Sequence, residues 1–322
     1  MRARIAGGAL LGLGALTGAA AVAAAAWLPL LPAGLPLDAE FTATASGTAV
    51  TYLDPVTQTE RTSDGVSRSL TVRGDPDTGD AGDATAVWEL TTSTDDTDGT
   101  LVGTSTAVAC LDRRTAEALD CVSEEVDGER ADVQGLTVRF PVDTARRDYA
   151  VWDVTTRQAF PARFTGTDDV RGLPVYRFEQ EVPPQVIGSV PVPGSLLGGS
   201  AGVLPAEVVH ASTRTMLVEP VSGVVVSSVE EPRTLLRGPD GQAGATLLAG
   251  TFTSTGRSVD AAVARAEDVR AERELLRRVV PWAAGGVAVV LLAAGGLLVA
   301  RGRRTTADPV EDGPAPVPVP TA

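Results

Sequence analysis

Hydrophobic positions fall into three regimes along the chain: an unbroken apolar run near each end and short alternating runs between them. Ile5–Leu28 (IAGGALLGLGALTGAAAVAAAAWL) follows Arg2 and Arg4, is closed by Pro29 and Pro32, and no charge appears before Asp38. Val279–Ala300 (VVPWAAGGVAVVLLAAGGLLVA) is uncharged throughout and is followed at once by Arg301, Arg303 and Arg304. At a rise of about 1.5 Å per residue, each run is long enough as a helix to cross a hydrocarbon core of roughly 30 Å. The flanking arginines predict that residues 1–4 and the C-terminal tail face the cytoplasm and that everything between the runs lies outside. For the first run a cleaved signal peptide, cut near Ala24–Ala26, competes with a retained anchor. Its length exceeds the roughly 7–15 residues of an ordinary signal core, which favours the anchor. Gly8 and Gly12, Gly14 and Gly18, and later Gly285, Gly286, Gly295 and Gly296 put small residues on helix faces, where helices can approach closely.

From Asp38 to about residue 257 apolar and polar residues alternate in short runs: Ala49–Leu53, Ser69–Arg73, Ala86–Leu90, Leu136–Phe140, Val175–Phe178, Thr215–Val218 and Val224–Val229. Period-two alternation with β-branched residues and frequent Gly, Pro and Asp predicts antiparallel sheet. Four segments repeat one design: Asp54-Pro-Val-Thr57, Asp112-Arg-Arg-Thr115, Asp153-Val-Thr-Thr156 and Glu219-Pro-Val-Ser222, each directly after an apolar pair. An acid at the first turn position can accept backbone N–H bonds from the residues after it, so these read as hairpin tips rather than catalytic carboxylates. Over Ser258–Arg278 the period changes to helical: Val259, Ala262, Val263, Ala266, Val269, Leu275 and Leu276 recur among alternating charges. Ser258 is the expected cap, and Arg270–Glu274 and Glu274–Arg278 are i,i+4 pairs. This is a helical stalk leading into the second span. Residues 305–322 hold five prolines and no core, as a disordered tail does.

Charge narrows the function. Residues 32–278 carry 38 Asp plus Glu against 22 Arg, a surplus of 16 negative charges that would repel nucleic-acid phosphates. Cys110 and Cys121 are the only cysteines and lie in the exported part, where a pair normally forms a disulfide. Such a bridge, closing a small loop, contributes about 2–3 kcal/mol. Val182–Ala206 has no charge over 25 residues and too many Pro and Gly for a helix. An irregular apolar segment must be buried, rest on a membrane, or line a site for an apolar ligand. Its candidate contact residues are Val186, Ile187, Val190, Val192, Leu196, Leu197, Val203 and Leu204.

Catalytic and metal patterns are weak. His210 is the only histidine, no nucleophile elbow accompanies it, and a histidine-based zinc site is excluded by count. Thr94–Gly99 has the acids of a calcium loop but not its first and closing ligands, so it fits a hairpin better. Arg73-Gly74-Asp75 carries no further context. No catalytic, metal or cofactor residue is expected.

Gly47-Thr-Ala-Val-Thr-Tyr52-Leu-Asp-Pro55, Thr94–Thr100, Asp112-Arg-Arg-Thr115, Arg146-Arg-Asp-Tyr149, Tyr176–Gln180, Pro193–Gly198 and Val218–Gly223 together resemble the actinobacterial PorA family of porins. The resemblance spans most of residues 1–300 and implies a pore, with no catalytic residues to carry over. The architecture expected is mainly β: an antiparallel β-rich extracytoplasmic domain (38–257) flanked by transmembrane helices at 5–28 and 279–300, with the stalk at 258–278. The function expected first is an envelope module that binds apolar, lipid-like ligands. Next come a structural protein that binds an envelope protein partner, and then the pore.

Overall fold

The computed structural model describes residues 2–27, 34–199, 202–275 and 279–304. The expected tail and the Glu274–Arg278 pair lie outside these residues. The chain divides into two compact units, Met1–Leu31 with Glu272–Ala322 and Pro32–Ala271.

The first unit is a helix pair, α1 (Arg2–Trp27) and α3 (Val280–Arg304). Within α3, Trp282–Arg301 is long and apolar enough to cross a membrane, whereas the described apolar stretch of α1, Gly12–Ala23, is shorter than a span. The two helices meet on small residues. A Cβ on Gly14 would stand 2.9 Å from Leu292 Cγ, and one on Gly18 would stand 3.6 Å from Ala288 Cβ. Gly12, Gly285, Gly286 and Gly296 have nothing within 4 Å of that position, so among these glycines Gly14 and Gly18 make the contact.

In the second unit fourteen described strands form one antiparallel sheet. They are β1 (Glu40–Leu53), β2 (Glu60–Ser63), β3 (Ser67–Gly74), β4 (Thr85–Asp95), β5 (Leu101–Asp112), β6 (Ala118–Leu119), β7 (Glu125–Val126), β8 (Glu129–Arg130), β9 (Tyr149–Asp153), β10 (Gln158–Val170), β11 (Leu173–Pro193), β12 (Val203–Val218), β13 (Val225–Arg237) and β14 (Ala243–Ser254). Their order is β8-β7-β5-β4-β3-β1-β14-β13-β12-β11-β10-β9, with β2 beside β1 and β6 beside β5. The ends are stitched together by the loop before β9. Ala118 N–H donates to Gly135 O (2.8 Å), Leu136 N–H to Ala150 O (2.8 Å) and Trp152 N–H to Leu136 O (2.7 Å). The hydrogen-bonded path therefore returns from β9 to β6 and β5, and the sheet curls closed.

The side chains are sorted by the period of two. Inside the curl, Trp88, Leu111, Leu136, Phe140, Tyr149, Phe178, Met216 and Val218 form the main apolar core. The Phe140 and Phe178 rings stack at 4.6 Å, with Tyr149 edge-on at 5.3 and 5.8 Å. Outside run hydroxyls and charges, including Thr42 bonded to Thr71 (3.1 Å) and exposed Glu89, Glu179, Thr213, Glu231 and Arg233.

The four repeated acids do sit at hairpin tips of one design. Asp54 and Asp112 each accept the N–H of the residues two and three ahead, at 2.8–2.9 Å. Asp153 accepts Thr156 N–H and Oγ1–H, and Glu219 accepts Val221 and Ser222 N–H. The residue four beyond each acid, Gln58, Ala116, Arg157 or Gly223, has φ between 52° and 75°, which reverses the chain. For an L-residue that conformation costs roughly 1–2 kcal/mol. At the buried Asp153 tip, hydrogen bonds to a charged acceptor, worth about 1.5–3 kcal/mol each, outweigh it.

A disulfide joins Cys110 and Cys121 beside the β5–β6 edge. Four expectations are corrected. Leu136–Phe140 is not a strand: Leu136 and Phe140 are both buried, and the segment pairs only through single residues that close the curl. Val182–Ala206 is not irregular: all but its end is the β11–β12 hairpin, and Pro183 and Pro184 fall in a bulge where the ladder needs no N–H. The cap of α2 (Gly256–Glu274) is Thr255, whose Oγ1 accepts Ser258 N–H (3.3 Å), while Ser258 Oγ accepts Thr44 N–H (2.7 Å). Nor does α2 stand clear as a stalk. It lays Val259, Ala262 and Ala266 on Leu173, Val175, Val224 and Val226.

The helix contact is tested by replacing Gly18 and Ala288 with cysteine in a background lacking Cys110 and Cys121. Oxidation should join the pair efficiently. Adding Gly14→Leu, whose side chain meets Leu292, should cut the yield several-fold. An unchanged yield contradicts the contact.

Candidate functional site

The apolar end of the β11–β12 hairpin is the first candidate. β10 pairs β11 only as far as Gln180, so from Glu181 to Pro193 β11 has a neighbour on one side alone. There Val186 (51% exposed), Ile187 (37%), Val190 (40%) and, across the tip, Val203 (69%) stand in solvent. The remaining candidates turn inward. Val192 and Leu197 are buried with Ala206 and Leu236, and Leu196 and Leu204 pack against them. The short 3-10 turn Gly194–Leu197 folds this cluster back onto β14, where Gly244 leaves room for Leu197 Cδ2 at 2.6 Å from a notional Cβ. The eight residues are thus split into an exposed set of four and a packed set of four. The open edge is guarded: Pro183, Pro184, Pro191 and Pro193 lack N–H donors, and a second bulge falls at Ile187.

A second arrangement lies inside the curl and was not anticipated. β12 points His210, Ser212 and Arg214 to the same face as Met216 and Val218, so polar groups follow the apolar core as the next layer. Arg214 Nη2 lies 3.2 Å from Glu230 Oε1 and 3.8 Å from Asp153 Oδ2, and its Nη1 donates to Gln180 Oε1 (3.4 Å). Arg68 meets the other Glu230 oxygen at 3.0 Å, donates to Thr94 Oγ1 (3.2 Å) and stacks over Phe252 at 4.3 Å. Burial pushes the Glu230 carboxyl up, but Arg214 and Arg68 outweigh it and hold it down at about 2. His210 is 3% exposed; its Nδ1 lies 2.8 Å from Thr234 Oγ1, and its Nε2 has no partner. Burial lowers its pKa against the pull of Asp153 and Glu230, so it is held neutral. The signal for this layer was present in the strand alternation, since Arg214 sits two residues before Met216. It was obscured because a lone arginine in a polar-rich strand looks solvent-facing.

The other motifs are occupied structurally. Asp96 accepts Tyr52 Oη–H (2.7 Å) and Ser63 Oγ–H (3.0 Å), and Asp98 pairs with Arg61 (2.8 Å), so the acids of 94–99 brace the β4–β5 hairpin. Asp80, Cys110 and Cys121 lie together, but both sulfurs are bonded to each other. At Gly74 a Cβ would collide with Leu37 O, so Arg73-Gly74-Asp75 is a packed strand end.

A β-barrel that crosses a membrane carries its apolar side chains outward. This sheet carries them inward and is filled by them, while a separate apolar helix supplies the membrane-compatible surface. The fold thus joins a β body with an apolar interior to a helix long and apolar enough to cross a membrane. The family model described as "Porin PorA" matches residues 6–297, and the chain belongs to that porin family. No curated protein matches it.

The interior layer makes stability depend on pH with a definite sign. The folded pKa of His210 lies below its ordinary 6.5, so its contribution is present above that value and is lost as pH falls below it. Glu230 contributes above its ordinary 4.5 and loses that contribution as pH falls toward about 2. Thermal melts of the full-length protein should decline from pH 7.5 to 5, and His210→Gln should flatten that decline. Glu230→Gln should flatten the fall below pH 4.5. Parallel curves for wild type and both variants contradict this assignment.

Proposed function

We propose that the protein is a channel component of the cell membrane whose permeation path is built by helices α1 and α3 from several copies. The observation that carries the reading is the polarity of the curled sheet in a chain of the porin family: hydroxyls outside and a filled apolar core inside. A body so built encloses no water-filled lumen and has no lipid-facing barrel wall, which leaves the membrane crossing to the helices. One copy's two apolar helices enclose nothing, so the path needs an assembly. In this reading the chain crosses twice, both termini are cytoplasmic and the β body stands outside, its surplus acids concentrating cations at the entrance. No catalytic step, metal or cofactor is part of it. Purified full-length protein in planar bilayers should give discrete, cation-preferring steps whose frequency rises more steeply than linearly with protein concentration. Silent bilayers, or anion preference, contradict it.

A second reading rests on the exposed Val186, Ile187, Val190 and Val203. Four apolar side chains on a charge-free hairpin end fit contact with envelope lipid, which would make the body a lipid-handling module. Native mass spectrometry of detergent-extracted protein should then show retained lipid that Val186→Glu with Val190→Glu removes. Equal lipid retention in wild type and variant contradicts this reading and leaves the channel reading standing.

A further inference from the structure

The β body is strongly acidic, and its other well-buried arginines have acids to answer them: Arg68 and Arg214 share Glu230. Arg139 and Arg265 have none. Arg139, in the loop between β8 and β9, is partly buried and turns both Nε (3.3 Å) and Nη2 (3.0 Å) to a single acceptor, the carbonyl oxygen of Ser222. Among the described residues, no acceptor meets the Nη1 side of its fork. Arg265, on α2, is also partly buried, and its guanidinium lies 4.6 Å over the Phe41 ring. The acid of the neighbouring turn, Glu219, accepts Val221 and Ser222 N–H and faces Arg270 Nε at 3.9 Å.

Among the described residues, no carboxylate lies within ion-pair reach of either guanidinium. Burial, and then repulsion from Arg265, pull Arg139 down to about 10, and burial pulls Arg265 below the usual arginine value. Arg139 pairs with Val224 through its backbone, and α2 lays Ala262 and Ala266, the residues that bracket Arg265, in one cluster with that same Val224, so the two arginines share a neighbourhood. Two like charges drawn from water in one neighbourhood are costly unless something negative joins them. In a body with 16 surplus negative charges, the acid of that turn faces Arg270 and neither of these two arginines.

We propose that Arg139 and Arg265 form an oxyanion site that takes a phosphate group, carried either by a lipid headgroup or as free phosphate. Guanidinium forks match phosphate oxygens in pairs, and one phosphate brings the charge that the two arginines lack. The site lies where α2 crosses the sheet near the turn Glu219–Gly223, so an occupant would also tie that helix to the turn.

The test uses full-length protein in neutral detergent at low salt without phosphate. Its melting temperature is followed as inorganic phosphate, phosphatidylglycerol or, as a phosphate-free lipid, diacylglycerol is added. Phosphate or phosphatidylglycerol should raise the melting temperature by several degrees and diacylglycerol should not. Arg265→Gln should shift the half-effect concentration at least tenfold, while Arg233→Gln, on the exposed face of β13, should leave it unchanged. Without anion, Arg265→Gln should melt no lower than wild type, because a repulsion has been removed. A response to inorganic phosphate alone identifies a free-anion site, and a response to phosphatidylglycerol alone identifies a headgroup site; either supports the proposal. No response in wild type, or one that persists in Arg265→Gln, overturns it. Arg139→Gln is a second probe, and if it fails to fold the Arg265 arm still decides.

Discussion

Three backbone hydrogen bonds around Gly135 and Leu136 determine what kind of object the β unit is. A long antiparallel sheet ends in two edges, and open edges invite pairing with other chains. Here the loop before β9 reaches both edges at once: Gly135 accepts from Ala118, and Leu136 exchanges bonds with Ala150 and Trp152. Gly135 has φ 71°, and any Cβ there would meet Ala150 O and its carbon, so a glycine is needed for the close approach. With the edges joined, the inner face must be filled from within one chain. Leu136 does part of this itself, since its backbone closes the ring while its side chain enters the core.

The filling comes in layers. Aromatic and aliphatic side chains occupy one part, and the Arg68–Glu230–Arg214 group with Asp153, Gln180 and His210 occupies the next. A charged layer in such a place is not a source of large net stability, because desolvation offsets much of the attraction. Its effect is on specificity: a slip of β12 by one residue would turn Arg214 outward and leave Glu230 with Arg68 alone. The acidic hairpin tips act in the same sense at the periphery, since each carboxylate fixes where its strand must reverse. Register is set at both ends of the strands and in the middle. The apolar hairpin end from Glu181 to Pro193 is the exception, where one edge is free and prolines take over the task of discouraging pairing.

Much of this was legible from the residues. The strand runs, the four acidic tips and the cysteine pair depend on local chemistry, and local chemistry is what a sequence displays. Leu136–Phe140 misled because a buried loop inside a closed sheet has the same alternation as a strand. Val182–Ala206 misled in the opposite way: proline content argued against regular structure, whereas a bulge and a free edge accommodate it. The interior charges were hidden for a different reason. Whether Arg214 faces water or Glu230 depends on register across β11, β12 and β13, which no single strand reveals. Arg139 and Arg265 are farther still from local pattern, since what marks them is the acid that no neighbouring element supplies.

The central claim is that the β unit is a closed body whose interior is filled by its own side chains. Hydrogen exchange at the Leu136 and Trp152 amides of the full-length protein tests it most directly. Closure predicts that both exchange as slowly as the amides at the centre of the β12–β13 ladder. Exchange within seconds, at loop-like rates, would mean that the edges stand apart and the sheet is open.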